Sequence, residues 1–327
     1  MNGIVRFFRF IKNNFGKISL GLFMVIFFLF ILFPFSDLND LMSIQVSKAT
    51  QNKVFLQFED LHLNPFTASI SLDKVFIETP QLATLTAESL SISPSIPAVI
   101  QGKPGGTISV EGFLKGEVKV SLTPSHASSK TEGKDSKIEK YAFEAKGQNL
   151  DLKELKDLVG LSLPIRGQLN FSTLGFADVS FTEQPEGEIT VTINKFELPP
   201  SSIALQDLGR VNLPEIKLGQ IELKGKLANG KFIIDTGKVG TNKDEFYGDI
   251  KGDLGLTLQN FGGQIVPVIG AYSLSLEMKA TLAFKERAKF FLTFLDGYKK
   301  ELSDGTQYKF KVQASAMGLP PQFTPLQ

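Results

Sequence analysis

Residues 272–284, YSLSLEMKATLAF, set Tyr272, Leu274, Leu276, Met278, Ala280, Leu282 and Phe284 at successive even positions, with Ser273, Ser275, Glu277, Lys279 and Thr281 between them. A period of two marks a strand with one buried face, so the stretch predicts a strand throughout. The same alternation runs through Ile189, Val191 and Ile193, and through Ile250, Leu254, Leu256 and Leu258. Ile221, Leu223 and Leu227 are separated from Phe232 and Ile234 by Asn229-Gly230, a strong hairpin signal that predicts pairing of those two strands. Upstream, Ile108, Val110, Leu114, Val118, Val120 and Leu122 alternate around Gly112 and Gly116, where a bulge or bend is expected. Nearer the start, Val54 to Phe58, Leu61 and Leu63, Ile70 and Leu72, Val75 and Ile77, and Leu90 and Ile92 read as short consecutive antiparallel strands.

Helical signals are few. Residues 151–159 have acids near their start and Gly160 after their end, which predicts a short helix. Residues 288–301 put Phe290, Phe291, Phe294, Leu295 and Tyr298 at helical spacing, interrupted by Gly297; that stripe reads as core packing. Residues 123–140 are rich in Ser, Lys, Thr, Glu and Gly and nearly free of large apolar side chains, the composition of a flexible linker or loop. The expected organisation is therefore a membrane-proximal β unit over 36–122, a linker over 123–140 and a distal β-rich unit over 141–327.

One other segment departs from this pattern. Ile18 to Phe35 is apolar and uncharged, with Ile18, Leu20, Leu22, Phe23, Val25, Ile26, Phe27, Phe28, Leu29, Phe30, Ile31, Leu32 and Phe33 supplying most of its surface. As a helix it is ~27 Å long, close to the roughly 30 Å of a hydrocarbon core, so a single transmembrane helix is expected. The preceding stretch 1–17 carries Arg6, Arg9, Lys12 and Lys17 and no acid, whereas Asp37 and Asp40 follow. That bias puts the N-terminus in the cytoplasm and the bulk of the chain outside. The run exceeds a usual signal-peptide core, and residues 33–37, FPFSD, offer no small-x-small cleavage site.

Composition narrows the function classes. With 35 basic and 34 acidic residues the net charge is +1, which gives no field to recruit nucleic acid. There is no cysteine, hence no disulfide, thiol chemistry or cysteine-bound metal. The chain has 29 Phe but no Trp and only 5 Tyr, so its apolar surface lacks the polar-tipped rings favoured at protein interfaces. His62 and His126 are the only histidines, too few for a histidine-based triad. Asp60 and His62 share a strand face, and Asp151, Glu154 and Asp157 alternate with Lys153 and Lys156; both read as solvated polar faces. Residues 102–106, GKPGG, lack the helix and Lys-Ser/Thr pair of a phosphate loop and read as a turn. No catalytic, metal or cofactor residues are expected.

One-sided strands outnumber the helices that could cover them. Such a sheet folds on itself or leaves an apolar trough able to take acyl chains or a protein. The candidate groove or core face comprises Ile189, Val191, Ile193, Ile221, Leu223, Phe232, Ile234, Leu254, Leu256, Leu274, Leu276 and Met278.

Phe33-Pro34-Phe35, residues 54–63 (VFLQFEDLHL), residues 85–92 (LTAESLSI) and Ile96-Pro97-Ala98-Val99-Ile100 before Gly106 resemble the start of AsmA-type envelope proteins. Residues 213–219 (LPEIKLG), 227–232 (LANGKF), 248–252 (GDIKG) and the tail from Phe290 through Asp304-Gly305 to Pro320 resemble the AsmA-like form of type II secretion system protein N. The resemblance covers nearly the whole chain and carries no catalytic motif. It implies a single-pass protein of the bacterial inner membrane with a curved antiparallel β-sheet in the periplasm, two or three short helices, and other type II secretion components as partners. Its AsmA side implies a groove for phospholipid. The chain is short for an AsmA protein, so long-range lipid conduction would need oligomers.

Overall fold

A computed structural model describes residues 14–32, 38–64, 67–79, 82–129, 138–158, 163–178, 183–205, 209–261, 264–316 and 319–326. Helix α1 spans Phe15–Leu32 and α2 Leu38–Ala49. Strands β1 (Phe55–Gln57), β2 (Asp60–Asn64), β3 (Ser69–Thr79) and β4 (Leu82–Pro94) follow, then helix α3 (Ile96–Gln101), β5 (Gly106–Phe113), β6 (Gly116–Ser129), β7 (Ile138–Asp151) and helix α4 (Leu152–Leu158). The second half runs β8 (Arg166–Asp178), β9 (Glu186–Leu198), the side hairpin β10 (Ser201–Leu205) and β11 (Gly209–Leu213), β12 (Ile216–Ala228), β13 (Lys231–Val239), β14 (Phe246–Phe261) and β15 (Gln264–Ala280). Helices α5 (Leu282–Arg287) and α6 (Lys289–Thr293), β16 (Lys299–Leu302), β17 (Gly305–Ala314) and β18 (Gln322–Pro325) close the chain.

The fold is mainly antiparallel β, as the alternation implies. Among the described residues, the strands other than β10 and β11 form one sheet in which sequence neighbours pair almost throughout. The expected Asn229-Gly230 hairpin is present, with φ of 53° and 70°, the left-handed pair a two-residue hairpin turn requires.

Several boundaries differ from expectation. The strand from residue 264 ends at Ala280, and Leu282 and Phe284 belong to α5. Thr281 turns the chain there: its hydroxyl accepts a hydrogen bond from the Phe284 N–H and starts the helix. The predicted helix over 288–301 is broken into α6, a 3-10 turn at Asp296–Tyr298 and strand β16. The Gly112–Gly116 bend is a hairpin joining β5 to β6, turned by Leu114 and Lys115 at φ 50° and 61°. Ile70 to Ile77 is one strand, its side-chain parity switching around Lys74 at φ 50°.

The linker expectation is corrected in part. β6 continues to Ser129 and β7 begins at Ile138, with Ser128 paired to Glu139; residues 130–137 lie outside the described ones. The two expected units are thus halves of a single sheet.

At the N-terminus, the helix begins at Phe15, before the expected Ile18, so Lys17 sits in its first turn. Arg6, Arg9, Lys12 and Phe33 to Phe35 lie outside the described residues. Among the described residues, no helix is long and apolar enough to cross a membrane.

Candidate functional site

Directly opposed residues in an antiparallel pair share a face, so the register can be followed across the molecule. Leu72, Leu90, Val110, Val118, Gly147 and Phe171 are successive cross-strand partners on β3 to β8. The row continues through Val191, Leu223, Gly237, Ile250, Leu276 and Phe310 on β9, β12, β13, β14, β15 and β17. Every position in it is apolar or glycine. The parallel row through Ser71, Ser91, Ser109, Lys119, Lys146, Ser172, Thr190, Lys224 and Thr236 is wholly polar. Successive side chains of a strand point to opposite faces, so one face of the sheet is apolar from β3 to β17 and the other is hydrophilic.

The structure places the twelve candidate residues in adjoining rows. Ile189 neighbours Gly225, Ile234, Gly252 and Leu274 in one row; Val191, Leu223 and Leu276 lie in the next; Ile193, Ile221 and Met278 lie in a third. Phe232 pairs with Leu254, and Leu256 packs into the same cluster as Phe232 and Ile234. The structure extends this face to residues that the candidate set omitted, including Ile92, Ile108, Val110, Val120 and Phe171. Their own period-two pattern carried the signal, but it did not reveal that their strands join the distal ones.

Among the described residues, α2 and the α5–α6 segment pack on the face at its two ends, α4 touches β4, β7 and β8 between them, and Leu227, Phe232 and Ile234 are buried against their neighbours in mid-sheet. Met42 and Val46 of α2 pack on Leu56, Leu61, Leu72 and Val75 at one end. At the other, Phe284, Ala288 and Leu292 of the α5–α6 segment pack on Ala280, Tyr308 and Phe310. Nineteen apolar side chains are buried among the described residues, too few to close a core over a sheet of this size. Between the ends, the cross-strand neighbours Ile92, Ile108 and Val120 are 38%, 44% and 39% exposed. Beside them a cavity of about 150 Å³ is lined by Val75, Ile77, Leu85, Thr86, Ala87, Leu90, Val110, Phe113 and Val118.

At two points on this face a glycine makes room for an aromatic ring. Gly147 faces Phe171, and Gly225 lies beside the Phe232 ring, where an added β-carbon would come within 2.8 Å of it.

The polar face carries same-strand and cross-strand ion pairs. Lys224 and Glu222 are 2.6 Å apart, and Lys146 pairs with Glu144. Hydrogen bonds from these lysines hold both carboxyls below the usual carboxylate range. His62 Nε2 stands 3.2 Å from Asp73 on this exposed side, beside Asp60. Asp151 accepts from the Lys153 N–H at the start of α4, and Lys115 reaches Glu154 at 2.7 Å. Gly102, at φ 63°, caps α3 by donating to the carbonyls of Ala98 and Val99. Among the described residues no group of three or more His, Asp or Glu side chains could hold a metal ion. No family model, curated protein or solved structure matches the chain.

Proposed function

We propose that this protein is a non-enzymatic lipid-binding protein of the cell envelope that accommodates acyl chains along the apolar face of its sheet. The observation that carries the proposal is the unbroken apolar row from Leu72 to Phe310, half-buried through most of its length and flanked by the exposed Ile92, Ile108 and Val120. Twelve strands at ~4.8 Å spacing make that row about 53 Å long. One acyl chain spans half a hydrocarbon core, about 15 Å, so the row has room for several chains in line. Three such rows form an apolar strip on the order of 1,000 Å², above the few hundred Å² that monomeric soluble proteins usually expose. The absence of Trp from the chain favours hydrocarbon over a protein partner on this face.

The same proposal includes a tether. The apolar run Ile18 to Phe35 holds the chain in the bacterial inner membrane, with the N-terminus cytoplasmic and the sheet periplasmic. Lys17 reaches the headgroups from the first helical turn along its aliphatic stem. Resistance of the full chain to carbonate extraction tests the tether; release into the supernatant would reject it.

Mass spectrometry of the full chain tests the face. Phospholipid is expected to co-purify with the native protein, and at least a fivefold lower amount with Ile108→Glu, a substitution at an exposed point of the apolar face beside that row. Equal occupancy in the two proteins would overturn the assignment.

A second reading is an accessory component of type II secretion that acts by protein contact. It is favoured by the last sheet edge, where β16 and β18 are four residues each and offer backbone groups to an added strand. A photocrosslinker at Lys300 that captures a secretion component would support this reading, and its failure in a secreting cell would remove it.

A further inference from the structure

Helix α3 connects β4 to β5 and rests on the sheet through one small side chain. Ala98 is fully buried, and a β-carbon on Gly105 would come within 2.7 Å of it. On its other side Ile96, Val99 and Ile100 are 75%, 62% and 79% exposed. Their i, i+3, i+4 spacing gathers them on one face of the helix. Three aliphatic side chains held in water add nothing to the packing of the fold.

Their place in the molecule points to what covers them. Pro94 pairs with Gly106 and Asn64 with Ser69, so α3 and the β2–β3 turn lie at the same end of the strands. Helix α2 runs away from that end: Asn39 donates to the Glu59 carbonyl midway along the edge, and Thr50 accepts from the Val54 N–H at the opposite end. The N-terminal end of α2 is therefore the end nearer α3. Leu32, the last residue of α1, is connected to Leu38 by a stretch that can span at most about 20 Å. Three strand spacings, ~14 Å, separate β2 from the connection that carries α3.

We propose that Ile96, Val99 and Ile100 insert into the surface of the phospholipid bilayer that holds α1, so that α2 and α3 seat one corner of the sheet on the membrane. This rests on the tether proposed above. A purely aliphatic face without Trp, Tyr or Arg suits the acyl–headgroup boundary better than a protein hot spot. Docking there puts the start of the apolar face beside the membrane from which a lipid would enter.

The chain has no cysteine, so single labels report cleanly. Full-length Ile100→Cys, Lys243→Cys and Val25→Cys, each carrying an environment-sensitive fluorophore, are reconstituted in phosphatidylethanolamine–phosphatidylglycerol vesicles with and without doxyl-labelled lipid. Lys243 is exposed in the β13–β14 connection at the opposite strand end. The Ile100 label is expected to shift to the blue and to lose at least half its emission to the quencher, the Val25 label to be quenched, and the Lys243 label to be unaffected. An Ile100 label as unquenched as that at Lys243, beside a quenched Val25 label, overturns the docking and leaves the tether standing. No quenching at either Ile100 or Val25 overturns both. A blue shift at Ile100 without quenching by lipid means that protein covers α3, and also overturns the proposal.

Discussion

The ring of Phe171 lies over Gly147: the two are direct cross-strand partners, and a β-carbon at position 147 would stand 2.2 Å from the ring. Gly147→Ala is therefore expected to lower stability by about 1–3 kcal/mol through overpacking. Removing the ring should relieve the conflict, so the double variant Gly147→Ala, Phe171→Ala is expected to be less destabilised than the sum of the singles by about 1 kcal/mol. Denaturant unfolding of all four proteins measures the cycle; strict additivity would mean that the ring does not hold this position.

Leu276 and Ile108 are both on the apolar face but should respond differently to a charge. Leu276 packs against the buried cluster around Tyr308 and Phe310, so Leu276→Glu is expected to cost roughly 3 kcal/mol or more and unfold the distal end. Ile108 is 44% exposed, and Ile108→Glu is expected to change stability by less than about 1 kcal/mol while lowering lipid occupancy. Thermal melts beside lipid analysis separate the two outcomes.

Thr281 ends the longest strand and starts α5, with its hydroxyl 3.4 Å from the Phe284 N–H. Because the contact is long, Thr281→Ala is expected to cost about 0.5–1 kcal/mol, the low end for a helix cap. Thr281→Ser should recover most of it in the same unfolding measurement.

Arg287 of α5 forks onto Glu245 in the β13–β14 connection, one arm at 3.1 Å. Hydrogen bonding to the guanidinium, with the Coulombic attraction behind it, holds the Glu245 carboxyl below its ordinary range despite partial desolvation. A carboxyl depressed in the folded state contributes stability that is fully present above its unfolded pKa of about 4.3. That contribution is lost as pH falls through the lower folded value. Both side chains are nearly half exposed, so the effect is at most about 1 kcal/mol. Glu245→Gln should accordingly be less stable than the parent at pH 7 and indistinguishable from it at the acid end of the titration, as read by denaturant midpoints.

Much of this was written in local pattern. The strands around Val191, Leu223, Ile234 and Leu276 followed from period two, and the turn at Asn229-Gly230 from residues that tolerate a left-handed backbone. The turn at Leu114-Lys115 was hidden because neither residue prefers that conformation; the pairing of β5 with β6 imposes it. The break at Ala280 was hidden because Leu282 and Phe284 preserve the even spacing that the Thr281 cap interrupts. The span 123–140 misled by composition, since a strand end can be polar on both faces where no layer covers it. Alternation also states only that one face is apolar. Whether a second layer lies on it depends on how distant strands join, and the polar ends of β6 and β7 carry no hydrophobic mark of the junction.

Because nearly every strand in the large sheet pairs with its neighbour in sequence, the molecule is close to a one-dimensional array between two helical ends. Adding one hairpin to its middle would return the chain to the same strand end and the same side-chain parity, and would lengthen the apolar face by about 10 Å. The reach of such a surface can therefore change by gain or loss of hairpins, with the α2 and α5–α6 ends left as they are.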